Sequence, residues 1–207
     1  MLVLIKGAGD LATGAAVRLY RAGIPVVMTE VAQPTAVRRT VAFSQCMYDG
    51  AAQVEGISAR RAEDAGAARR ALERGEVPVL CDPAAAILGE LPFDGVVDAI
   101  LAKRNLGTAI TDAPVVLALG PGFTAGVDCH GVVETMRGHN LGRLLTQGSA
   151  APNTGVPGDV GGYTTQRIIR APADGAFEPL AAIGQRVEEG QPVARVAGRT
   201  ACAPRRS

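Results

Sequence analysis

The sequence has few aromatic side chains: 3% of its 207 residues, and no tryptophan. With 47% hydrophobic residues there is still ample core material, so Val, Ile, Leu and Ala must fill the interior. Lysine is scarce as well. Of the 21 lysines and arginines only Lys6 and Lys103 are lysine, a bias that suits a GC-rich coding sequence and makes each retained lysine notable. A net charge of +1 gives no reason to expect a nucleic acid or a membrane surface as partner. No apolar run approaches the ~18 residues of a membrane span, and Met1 leads straight into an apolar strand rather than a signal peptide. Cys46, Cys81, Cys129 and Cys202 are widely spaced, with no C-x-x-C. They read as reduced thiols in a cytoplasmic protein.

What the chain does have is concentrated at its start. Leu2, Val3, Leu4 and Ile5 run into Gly7-Ala8-Gly9-Asp10-Leu11-Ala12, and a second apolar run, Ile24 to Met28, ends at Glu30. Strand, glycine turn, amphipathic helix and a strand closed by an acid form the first half of a dinucleotide-binding unit. Gly7 permits the tight turn, Gly9 lets the backbone approach a pyrophosphate, and Ala12 takes the third position. Glu30 falls about 20 residues on, where an acid grips ribose hydroxyls. Leu11, Ala15, Leu19 and Ala22 keep helical spacing. Asp10 is placed to cap that helix and Gly23 to end it, although the Asp10 charge would oppose a phosphate. Lys6, directly before the turn, reads as a strand-end residue.

Further along, Pro34 predicts the first turn of a helix carrying Arg38 and Arg39, whose guanidinium groups suit a phosphate. Residues 43–61 predict an irregular β excursion with a turn at Asp49-Gly50 and a hairpin near Val54 and Ile57. Residues 63–74 predict a helix stopped by Gly75. Apolar runs at 77–81, 95–101 and 114–119 predict strands, each followed by polar or glycine residues. In a parallel α/β sheet those positions face the ligand.

Three clusters follow those strands. Lys103 with Asn105 is a candidate catalytic and substrate-binding pair, the lysine neutralising phosphate or polarising a carbonyl. Gly120 and Gly122, in GPGFTAG, are candidates to offer amides to an anion, or else a reversal that needs positive φ. Asp128, Cys129, His130, Glu134, Arg137 and His139 gather both histidines. Their spacing matches no zinc pattern, so no metal is assigned. His130 and Glu134 are candidates for proton exchange, and Arg137 and His139 for holding an anionic substrate.

Residues 1–147 therefore read as a Rossmann-like α/β domain with a parallel sheet, and 148–166 as a Gly/Pro-rich linker. Residues 167–207 predict short strands at 168–170, 172–180 and 184–196, similar to the first half of a barrel-sandwich (biotinyl/lipoyl-like) module. No lysine lies beyond Lys103, so the module cannot carry biotin or lipoate. The half-module looks truncated or frameshifted, and residues after about 197 are expected to be poorly ordered.

By residues 7–14 (GAGDLATG) and 29–41 (TEVAQPTAVRRTV) the sequence resembles the accessory proteins of selenium-dependent molybdenum hydroxylases, a family labelled YqeB-like. The strings GPGFTAG (120–126), ETMRGHNLGR (134–143) and PNTGVPGDVGGYT (152–164) carry the same resemblance. It implies a role in maturing a molybdenum hydroxylase such as a xanthine dehydrogenase, with that enzyme's subunit as partner and its pterin-dinucleotide cofactor as ligand. It supplies no catalytic residues. The residues alone leave two alternatives: an NAD(P)-dependent oxidoreductase, although no Tyr-Lys or His-Asp catalytic pair is evident, and a non-catalytic binding or scaffold protein.

Overall fold

A computed structural model describes residues 1–156, 158, 159 and 161–204. The chain divides into two compact units, Met1–Asn153 and Thr154–Ser207. No helix among the described residues is long and apolar enough to cross a membrane.

In the first unit, strand β1 (Val3–Lys6) leads through the glycine turn into helix α1 (Asp10–Arg21), and β2 (Val26–Glu30) follows. The short helix α2 (Cys46–Asp49) precedes the hairpin β3 (Ala51–Val54) and β4 (Ile57–Ala62). Helix α3 (Ala65–Glu73) and β5 (Val77–Cys81) come next. The unit closes with β6 (Gly95–Asp98), β7 (Val115–Leu119), β8 (Gly131–Val133) and β9 (Leu144–Leu145). All nine strands form one sheet in the order β3-β4-β5-β2-β1-β6-β7-β8-β9. It is mostly parallel, with antiparallel strands only at its edges, β3 and β9.

The chain leaves β1 toward β2 on one side and later returns to β6 on the other, so the carboxyl end of β1 lies where the winding reverses. Alternation along each strand splits the core between the two faces. Val3 and Ile5 of β1 pack with Met28, Val79 and the Ala12–Ala16–Val17 stripe of α1 on one face. Leu4, Val27, Leu80, Val96, Val116 and Val132 pack on the other, against Ala68 of α3 and the loop residues Phe93 and Phe123. Among the described residues Phe43 is the largest fully buried side chain, and the others are aliphatic or Met.

The predicted order of strand, turn, helix and strand over residues 2–30 is found, with two shifts. Helix α1 buries Ala12, Ala16 and Val17 rather than Leu11 and Ala22, which are exposed, and its N-cap differs. The N-cap of α1 is Gly9, and no side chain caps it. Asp10 is the first helical residue, its carboxylate paired with the Arg38 guanidinium. Strand β6 stops at Asp98 rather than 101: the Asp98 carboxylate takes the Ile100 N–H, and Leu101 lies in the left-handed region at φ 60°. No helix starts at Pro34. Residues 31–38 are irregular, and a single 3-10 turn, Arg39–Val41, is all that forms there. Tertiary bonds replace the helical ones: Ser44 donates to the Ala8 carbonyl, Phe43 to the Thr13 hydroxyl and Tyr48 to the Pro34 carbonyl. Gly50 ends α2, and the hairpin turns at Glu55-Gly56, both at positive φ, as a tight two-residue hairpin requires.

Residues 148–153, expected in a linker, belong to the first unit, where Ala150 is buried. In the second unit, β10 (Phe177–Pro179), β11 (Pro192–Val196) and β12 (Arg199–Cys202) form an antiparallel sheet in that order. Residues 168–170 form no strand. Strand β12 corrects the expectation of disorder after 197. Its Ala201 is buried, as is Ala203 just beyond, whose N–H reaches the Gln191 carbonyl. The last three residues lie outside the described ones.

Candidate functional site

A carboxylate closes or follows four of the parallel strands, and each accepts at least one backbone N–H. Glu30, ending β2, accepts the Ala8 N–H at 2.9 Å and the Val31 N–H at 2.8 Å. Asp82, after β5, accepts from Ile87. Asp98, ending β6, accepts from the Ile100 N–H and the Thr108 hydroxyl. Glu134, after β8, accepts from Met136 at 2.7 Å and Ala151 at 2.8 Å. Donation from Ala151 first, then Met136, holds the buried Glu134 carboxyl below the usual carboxylate range. These acids staple loops to strand ends, a task no local spacing announces.

The glycine turn is built in two ways. Gly7 sits at φ 93°, and a Cβ there would stand 3.0 Å from the Ala99 carbonyl oxygen and the Ile100 Cα, so only glycine lets the end of β6 approach. Gly9 is different: a Cβ on it would meet nothing within 4 Å. Ala12 is fully buried and lets α1 pack on β1. The first-turn amides of α1 lack a side-chain cap, and this is where a helix binds anions. Arg38, by pairing with Asp10, neutralises the charge that would repel one. Arg39 is engaged elsewhere, donating to Gln45 and lying over the Tyr48 ring. A groove of about 330 Å³ runs along α1 from Asp10 and Thr13 to Arg21, with Val41 and Val54 on its far wall.

The second glycine cluster is filled by the chain itself. A Cβ on Gly122 would lie 2.5 Å from the Arg104 nitrogen, and one on Gly120 would lie 2.6 Å from the Thr135 hydroxyl. Asn105 is fully occupied: its side-chain oxygen accepts from Gly107 and Thr108, and its nitrogen donates to the Thr108 carbonyl and Asp128. Lys103 is exposed, in the left-handed region at φ 63°. The other lysine, Lys6, is buried.

His130 and Glu134 are not brought together. One precedes β8 and the other follows it, four residues apart on extended chain, or about 13 Å. His130 is exposed, with Nδ1 accepting the Val116 N–H at 3.0 Å. Arg137 and His139 are exposed on the turn between β8 and β9. Cys129 is buried, and burial pushes its thiol up, as it pushes that of Cys46 to about 11.

Over 93% of its length the chain is 54% identical to a protein of Escherichia coli strain K12 called "Uncharacterized protein YqeB". The chain belongs to the YqeB-like family. That name carries no activity, and the chain spans 36% of the relative's length. No family model matches, and no solved structure matches. Within this YqeB-like chain, the polar group that spacing underrated surrounds Lys6: Thr29, Asp98 and Thr108, all buried. Part of the signal was present, since Lys6 and Thr29 fall at the ends of apolar strand runs and Asp98 interrupts one.

Proposed function

We propose that the chain is an accessory protein for maturing a molybdenum hydroxylase, and that it holds a dinucleotide, a pterin dinucleotide for choice, at the turn between β1 and α1. The observation that carries the binding half is the open space at Gly9 beside uncapped first-turn amides, at the point where the sheet's winding reverses. The hydroxylase half rests on the family resemblance. In this reading the sheet is Rossmann-like, since β5-β2-β1-β6-β7-β8 follows the 3-2-1-4-5-6 order, and the small sheet is part of a barrel-sandwich module.

The residues fit such a ligand. Amides of residues 9–12 would hold the diphosphate, with the Arg38–Asp10 pair keeping local charge near neutral. Each Glu30 oxygen receives one backbone N–H and retains a lone pair for a ribose hydroxyl. Arg38 and Arg39 already have partners, so the site favours a free ribose diol over a phosphorylated one. The ligand would supply the reactive head group, and the chain the grip.

Mass spectrometry on natively purified protein tests this. A copurifying pterin dinucleotide supports the reading. A nicotinamide dinucleotide replaces it with an oxidoreductase, and protein that neither carries nor takes up any dinucleotide removes the binding claim.

A further inference from the structure

On the face of the sheet opposite α1, three polar residues stand in one row across the central strands. Lys6 pairs in register with Thr29 of β2 and with Asp98 of β6. Beneath them on the same face lie Leu4, Val27 and Val96, all in the core. The residues are 4%, 3% and 1% exposed respectively, so each polar atom needs an accounting.

Asp98 is accounted for: one oxygen accepts the Ile100 N–H at 3.2 Å and the other the Thr108 hydroxyl at 2.6 Å. Because that hydroxyl spends its proton on Asp98, its oxygen accepts from the Lys6 ammonium, at 2.5 Å. An ammonium has three protons to give. Lys6 gives one, and among the described residues it has no other acceptor and no ion-pair partner. The Thr29 hydroxyl has no hydrogen bond at all among them. Among the described residues no fully enclosed side-chain oxygen or nitrogen lacks a partner, so this hydroxyl retains contact with the outside. A lysine that only tethered the loop at Thr108 would not explain a buried, unbonded hydroxyl beside it.

We propose that Lys6 and Thr29 form a subsite for a phosphoryl group, with Thr108 and Asp98 as positioning residues that aim the ammonium. Two unspent ammonium protons and one hydroxyl make three donors on neighbouring strands of one sheet face. A tetrahedral phosphoryl group presents enough oxygens to take all three, and a charged acceptor offsets the desolvation of the lysine. The subsite lies across the sheet from the α1 turn and stands without the dinucleotide reading.

Calorimetric titration of the full chain with inorganic phosphate, and separately with ADP, tests the proposal, with thermal unfolding run on each variant. Wild type is expected to bind phosphate saturably. Lys6→Met should weaken it by at least about tenfold, as loss of a charge-assisted contact does. Thr29→Val is the sharper variant, because it removes a hydroxyl that has no partner in the protein. It should weaken phosphate several-fold with no fall in unfolding temperature. Gly9→Asp should leave phosphate binding intact even if ADP binding is lost, which separates this subsite from the α1 turn. Absence of phosphate binding by wild type overturns the proposal. So does Thr29→Val protein that binds phosphate like wild type.

Discussion

Two glycine clusters, at residues 7–12 and at 120–126, follow parallel strands and look alike in sequence, but their surroundings differ. At the first, Gly9 faces open space next to bare helix amides. At the second, the space that glycine leaves at Gly122 is taken by the backbone of Lys103 and Arg104. The same residue borders open space in one place and close chain packing in the other. A glycine therefore marks an approach of backbone to something, and only the neighbours say to what.

The largest effect that separates the two clusters is expected at Gly122. Gly122→Ala combines φ 110° with a methyl group overlapping the Arg104 backbone, and should cost about 3 kcal/mol or more in urea unfolding. A cost near zero would mean that the second loop is as open as the first. Gly9→Asp is the mirror case. Its φ of −65° suits any residue and Asp is a favoured N-cap, so stability should stay within about 0.5 kcal/mol. Dinucleotide affinity, followed by fluorescence or calorimetry, should drop about a hundredfold or more. Unchanged affinity would erase the functional contrast.

Glu134→Gln probes the strand-end acids. One of two backbone donors loses its acceptor, so neutral-pH stability should fall by about 1–3 kcal/mol. Because the folded carboxyl is held low, the native contribution is complete above the unfolded carboxylate range. It is lost as pH falls through the lowered folded value. The gap between wild type and variant in urea melts should therefore narrow on acidification. A gap independent of pH would assign the acid another role. The smallest effect is at Lys103→Gly, which relieves a left-handed lysine at no cost in contacts and should raise stability by up to about 1 kcal/mol. If it also leaves ligand binding unchanged, the exposed lysine is no part of the site.

Much of the first 30 residues was legible in the sequence, because the signals there are local. Apolar runs, a glycine turn and Gly23 at the helix end all act within a few residues, although the buried stripe of α1 is Ala12, Ala16 and Val17 and Leu11 lies exposed. The segment after Pro34 was misread because its bonds are distant, from Phe43 and Ser44 back to Thr13 and Ala8. The candidate pair His130 and Glu134 failed for a related reason. Adjacency in sequence became the length of a strand once β8 formed between them. Strand β12 was missed because its pairing with β11, the Ala197-Gly198 turn and the burial of Ala201 appear together or not at all.

Composition and periodicity by themselves determined an α/β chain with an aliphatic core, a glycine turn at its start and β structure near its end. The tertiary structure decided which glycine stays open, which lysine is buried and which acids are spent on backbone. The physical reason is that alternation and capping are properties of neighbouring residues. Access and charge pairing, in contrast, depend on which strand ends the register places side by side.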